Sequence, residues 1–142
     1  MMTDVRWTMV IVVGLLAGCG GGRDSVHYAH VEVFDHGRVV LIPAGLGVDG
    51  VRDGAYVSGR HHGPLFTEEP TGLVGVRRPG VTLGDLYAVW GRRLGHPLVH
   101  VNGRVWRGGA RRVPLGRHDQ IVVQEGYAPI VPHPTYRFPP GR

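Results

Sequence analysis

The 142 residues include nine histidines, and these are the side chains most suited to chemistry. Several lie close in sequence: His27 with His30, His61 with His62, and His96 with His100. Neutral imidazole is a good ligand for copper and zinc, so metal binding is the first chemistry to weigh. On a strand, however, His27 and His30 point to opposite faces. Adjacent His61 and His62 do not easily share one ion on an extended chain, but Glu68 is near enough to join either. The candidate metal ligands are therefore His61, His62 and Glu68. The competing reading is that the histidines are solvated loop and surface residues.

Nucleophiles are scarce. Ser25 and Ser58 are the only serines, and neither sits in a nucleophile-elbow context. Glu68 and Glu69 are neighbours, and on an extended segment they are expected to diverge rather than flank a substrate. Gly20, Gly21 and Gly22 precede no helix and do not form a phosphate-binding loop. No set of residues fills the geometric roles of a catalytic site. The chain is therefore read as a non-enzyme, with no cofactor expected.

Cys19 is the single cysteine, so no internal disulfide can form. It closes a segment organised like a secretory signal. Arg6 and the amino terminus supply a weak positive region, and Trp7 to Ala17 is apolar. That stretch is shorter than the roughly 20 residues a permanent span needs. Leu16-Ala17-Gly18-Cys19 resembles the lipobox of bacterial lipoproteins. The resemblance implies cleavage after Gly18 and diacylation of the Cys19 thiol by palmitate-type chains. Each buried CH₂ contributes about 0.8 kcal/mol, so two chains anchor durably. The glycines that follow suit a flexible tether. Residues 1–18 are thus the signal peptide and 19–26 the lipidated cysteine and tether. The implied location is the extracytoplasmic face of the cell membrane.

All 16 basic residues are arginine, and the formal charge is +5. Arg77-Arg78, Arg92-Arg93 and Arg111-Arg112 are pairs. Outside the membrane they would meet anionic lipid headgroups or cell-wall polymers rather than nucleic acid. The plainer reading is a set of solvated faces that keep a tethered domain soluble.

The elements that must hold these residues are short, as expected of a chain with 24 glycines and 11 prolines. His27 to Phe34 alternates, a turn spans Asp35 to Arg38, and Val39 to Ile42 is apolar; together they predict a hairpin. Pro43 to Gly54 reads as a loop, Ala55 to Ser58 as a brief strand, and Arg60 to Pro70 as irregular. Gly72 to Val76 is an expected buried strand. One helix is expected after Thr82, which stands at the capping-box spacing from Asp85. Leu83, Leu86, Tyr87, Trp90 and Leu94 share one face of it. Arg92 and Arg93 then fall in its last turn, with Gly95 as terminator. Asn102-Gly103 predicts a second hairpin, and Gln120 to Gln124 a final strand. The domain spans 27–125. Residues 126–142 form a Pro-rich tail, read as polyproline-II-like or disordered, which Tyr127, Ile130, Tyr136 and Phe138 could dock.

This order suits a small α+β domain with one main helix packed on a mixed sheet. The second half, with its helix, Val101-Asn102-Gly103 turn and Leu115 to Val123 strand, resembles β-grasp proteins. From His27 to Gly126 the layout is also similar to uncharacterised anchored extracytoplasmic proteins. The matching segments are His27 to His30, Pro43 to Gly47 and Thr82 to Gly91. Where those proteins carry three histidines, this chain has Phe66, Glu68 and Gly75. The expected function is a membrane-anchored, non-catalytic binding domain whose partner is an envelope protein or an anionic cell-wall or lipid component. The alternative is copper or zinc binding or sensing by surface histidines, and a hydrolase comes last.

Overall fold

The structure, a computed structural model, describes residues 25–127 and 135–142. Cys19, Ile130 and His133 lie outside the described residues.

Alternation along β1 (His27–Asp35) puts Ala29, Val31 and Val33 in the core and Tyr28, His30 and Glu32 on the other face. The expected hairpin forms. β1 pairs with β2 (Arg38–Val40) through a two-residue turn in which His36 and Gly37 have φ of 48° and 77°. Positive φ at both positions is the type I′ geometry that matches strand twist.

The segment expected to be a loop contains a strand. β3 (Val48–Asp53) pairs antiparallel with β4 (Tyr56–His61) as a separate two-stranded ribbon. Gly54, at φ 57°, supplies the tight turn. β3 escapes a periodicity reading because only Val48 is buried in it; the rest faces solvent. Gly50 and Gly59 stand opposite each other, and a Cβ on either would overlap the facing backbone. Close crossing of the strands, not side-chain alternation, fixes these residues.

β5 (Leu65–Phe66) and β6 (Leu73–Val76) return the chain to the main sheet. The edge of β1 is shared: β6 pairs with His27 to His30 and β2 with Val33 to Asp35. Between them the Val31 N–H donates to the Gly72 carbonyl at 2.8 Å.

Helix α1 (Leu83–Trp90) starts as its sequence dictates. The Thr82 N–H donates to Asp85 Oδ2 at 2.8 Å, and the Asp85 N–H donates to Thr82 Oγ1 at 3.4 Å. Its end differs from expectation. Gly91 takes a left-handed conformation at φ 72°, and the Arg92 N–H closes onto the Tyr87 carbonyl. The helix therefore stops before Arg92, Arg93 and Gly95. Leu94 keeps its place in the core from outside the helix.

β7 (Leu98–Val101) and β8 (Arg104–Val105) form the second hairpin, with Asn102 at φ 51° and Gly103 at 79°. β9 (Gln120–Glu125) lies between β7 and β1, parallel to β1. The main sheet runs β5-β6-β1-β9-β7-β8, with β2 also on β1. Leu83, Leu86 and Tyr87 of α1 pack on one face with Val31, Val33, Val74, Val99, Ile121 and Val123. The fold is a small α+β domain with one helix packed on a mixed sheet, as expected. Among the described residues, no helix is long and apolar enough to cross a membrane.

Candidate functional site

The sheet face opposite α1 groups titratable and aromatic side chains with segment 135–142. β1 contributes Tyr28 and His30, β9 contributes Gln120, and the β5 region contributes Phe66, Glu68 and Glu69. Segment 135–142 lies across them.

A bend at Glu68-Glu69-Pro70 positions the two carboxylates. Their expected divergence is corrected here, because the chain is not extended at this point. Both meet one guanidinium: Arg142 Nη2 is 3.3 Å from Glu68 Oε2, and Nη1 is 3.1 Å from Glu69 Oε1. The guanidinium also sits over the Tyr28 ring at 5.6 Å. Paired carboxylates facing one fork are a favourable geometry for arginine.

Of the candidate metal ligands, the structure brings two together. His61 Nε2 is 2.8 Å from Glu68 Oε1, and its ring stacks on Phe66 at 3.6 Å. His62 turns away, with Nε2 3.3 Å from Asp49 Oδ1. Adjacent residues at a strand end diverge, as their spacing implies. Among the described residues, no three His, Cys, Asp or Glu side chains are grouped to hold an ion. Phe66 and Glu68 both contact His61, and Gly75 pairs with Phe66 across β5 and β6. The Phe66 ring lies where a Cβ on Gly75 would be.

Other histidines are spent on carbonyls. A carbonyl only accepts, so Nε2–H must donate in each case. His27 donates to Leu115 O at 2.9 Å, His30 to Thr71 O at 2.9 Å and His118 to Arg142 O at 2.8 Å. His100 is buried in β7 with Nδ1 unpartnered. His96 lines a separate cleft of about 270 Å³ with Arg93, Pro97 and Glu125.

The tail meets this face through alternate residues. Tyr136 and Phe138 turn inward and Thr135, Arg137 and Pro139 outward, the period of an extended chain. The Tyr136 ring stacks on His30 at 3.6 Å and 7° from parallel. Phe138 packs on His118 at 4.7 Å. Gln120 clasps the Tyr136 main chain: its Nε2 donates to the carbonyl at 3.1 Å, and its Oε1 accepts from the N–H at 3.0 Å. Tyr127, in contrast, is 91% exposed.

Burial holds these groups neutral. It lowers the His30 pKa, against smaller opposing effects of the Thr71 carbonyl and Glu32. It raises the phenols of Tyr28 and Tyr136, with Arg142 opposing in both. The site is therefore a neutral aromatic floor beside a two-carboxylate end. Segment 135–142 lies on the floor, with the Arg142 guanidinium at the carboxylate end.

Of the tail residues expected to dock, Tyr136 and Phe138 do so, Tyr127 does not, and Ile130 lies outside the described residues. The sequence does not reveal Gln120 and His118 as their partners, nor Arg142 as a third docking residue received by Glu68 and Glu69. The remaining candidates do not converge. Ser58 is on the exposed ribbon and Ser25 precedes β1. Arg77 Nη1 donates to His61 O at 3.1 Å, and Arg92 pairs with Glu125 at 2.6 Å.

Compared with known families, curated proteins and solved structures, the chain matches none.

Proposed function

We propose that the chain is a lipid-anchored extracytoplasmic protein whose folded domain is a non-catalytic binding module. The observation that carries this reading is Cys19 placed directly after Leu16-Ala17-Gly18 and an apolar run, and followed by Gly20 to Gly22. A tether ahead of β1 would let the domain reach an envelope protein or an anionic cell-wall or lipid partner. Its non-catalytic character is supported by the engagement of Glu68 and Glu69 with a single guanidinium.

The test is Cys19→Ala in the full chain, followed by membrane fractionation and labelling with a palmitate analogue. The unchanged protein should pellet with membranes and carry label. The variant should lose both, and label retained on the variant would refute the anchor. Copurification of an envelope component with metal-free protein would support the binding role.

A second reading, copper or zinc binding, is favoured by the 2.8 Å contact of His61 with Glu68. Metal analysis of purified protein tests it. Stoichiometric copper or zinc that is lost in His61→Ala would support that reading over the first.

A further inference from the structure

The geometry points to the sheet face opposite α1 as a recognition groove for an extended peptide bearing two aromatic residues spaced by two and an arginine four beyond the second. Segment 135–142 is its occupant in cis. This reading does not depend on the lipid anchor, and failure of the Cys19 test would leave it standing.

Three features distinguish the groove from ordinary core. First, the segment belongs to neither apolar cluster of the domain and adds no strand to the sheet. Core packing and a main-chain ladder would make it permanent; it has neither. Second, one side chain reads its backbone. Gln120 offers both an acceptor and a donor to the N–H and carbonyl of Tyr136. That contact recognises an extended main chain whatever its side chains. Third, specificity comes from separate stations. His30 presents a flat neutral ring to Tyr136, His118 meets Phe138, and Glu68 with Glu69 receives Arg142. Backbone reading plus side-chain stations at period two is how grooves take peptides in extended form.

The charge pattern sets the partner. Two carboxylates at one end favour a guanidinium and oppose an acidic residue there. A ligand in trans must displace a segment tethered in cis, which sits at high effective concentration. Binding to the unchanged chain is therefore weak, and removing the cis side chains unmasks it.

The test uses the full chain and a fluorescent peptide with the sequence of residues 135–142, read by anisotropy. Tyr136→Ala with Arg142→Ala in the chain should tighten peptide binding at least about tenfold. Adding Gln120→Ala to that background should abolish the gain. No tightening in a double variant that keeps its circular dichroism and melting midpoint overturns the proposal. Equal binding of a peptide with both aromatics replaced by alanine also overturns it. Charge exchange gives a readout that needs no emptied groove. Glu68→Arg with Glu69→Arg should prefer a peptide whose final arginine is glutamate, and an unchanged preference for arginine counts against the groove.

Discussion

His30 and Tyr136 lie ring on ring, 3.6 Å between centroids and 7° from parallel, although they come from the first strand and the Pro-rich tail. His30 is only 5% exposed, and its Nε2–H is committed to the Thr71 carbonyl. Burial disfavours the imidazolium and lowers its pKa from the ordinary 6.5. The linkage sign follows. Well above the unfolded value both states are neutral and the fold carries no penalty. As pH falls through about 6.5 the unfolded chain takes up the proton first, and stability drops until the lower folded pKa is passed. The melting midpoint should therefore decline between about pH 7 and pH 5. His30→Gln should flatten part of that decline. Parallel pH curves for the two proteins would show that His30 is not the group responsible.

Gly75 predicts a packing conflict. Its Cα faces the Phe66 ring, and a Cβ there would occupy the ring's own space. Gly75 does not have a positive φ, so Gly75→Ala isolates overlap from backbone strain. Overpacking of this kind costs about 1–3 kcal/mol. Because Phe66 also carries the His61 stack, displacing it should loosen the His61–Glu68 contact. Phe66→Leu should recover part of the loss, giving a non-additive double-mutant cycle in denaturant melts. Strict additivity would mean that the ring does not respond to the new methyl.

Local physics was legible in the sequence where it acted alone. His36-Gly37 and Asn102-Gly103 demand positive φ at both turn positions, and both hairpins form there. Thr82 and Asp85 announce the start of α1. Its end is not legible, because Leu94 keeps the helical period while Gly91 breaks the helix first. β3 leaves no periodic signal, because only Val48 is buried in it and Gly50 faces Gly59 where no Cβ fits. The groove was largely hidden, since Arg142 meets Glu68 across 74 positions and no local pattern encodes that contact. The isolated apolar residues of the tail point to docking but not to its place, and they include Tyr127, which is exposed.

Glu125 joins the end of β9 to the chain just beyond α1. Arg92 Nη2 is 2.6 Å from Glu125 Oε2, and the Tyr87 hydroxyl donates to Oε1 at 3.2 Å. Burial first, then the Glu125 charge and hydrogen bond, push the Tyr87 phenol far above its ordinary value of 10.0. Glu125→Gln should cost about 1.5–3 kcal/mol, the range for a hydrogen bond to a charged group. It should also let Tyr87 ionise at lower pH, though still above the ordinary value because burial persists. Ultraviolet titration of tyrosinate checks this, and an unmoved Tyr87 would deny the coupling.

Asn102 connects the second hairpin to the groove through Gln120. Its Oδ1 accepts from the Gln120 N–H at 2.9 Å, and its Nδ2 donates to Asp119 Oδ1 at 2.8 Å. It also holds φ at 51°, a left-handed conformation. Asn102→Gly keeps the conformational freedom and loses both side-chain bonds, at about 0.5–1.5 kcal/mol each. Asn102→Ala adds the left-handed penalty of roughly 1–2 kcal/mol. Denaturant melts should rank the unchanged protein first, the glycine variant next and the alanine variant last; alanine above glycine would remove the conformational argument. Gln120 is pinned by Asn102 through its main chain and holds Tyr136 through its side chain. Loosening one should therefore release the other. Arg137 is exposed beside Tyr136, and trypsin should cut after it faster in Asn102→Gly than in Thr82→Ala, where about 1 kcal/mol is lost at a distant helix cap. Equal cleavage rates at matched stability would show that the hairpin does not support the groove.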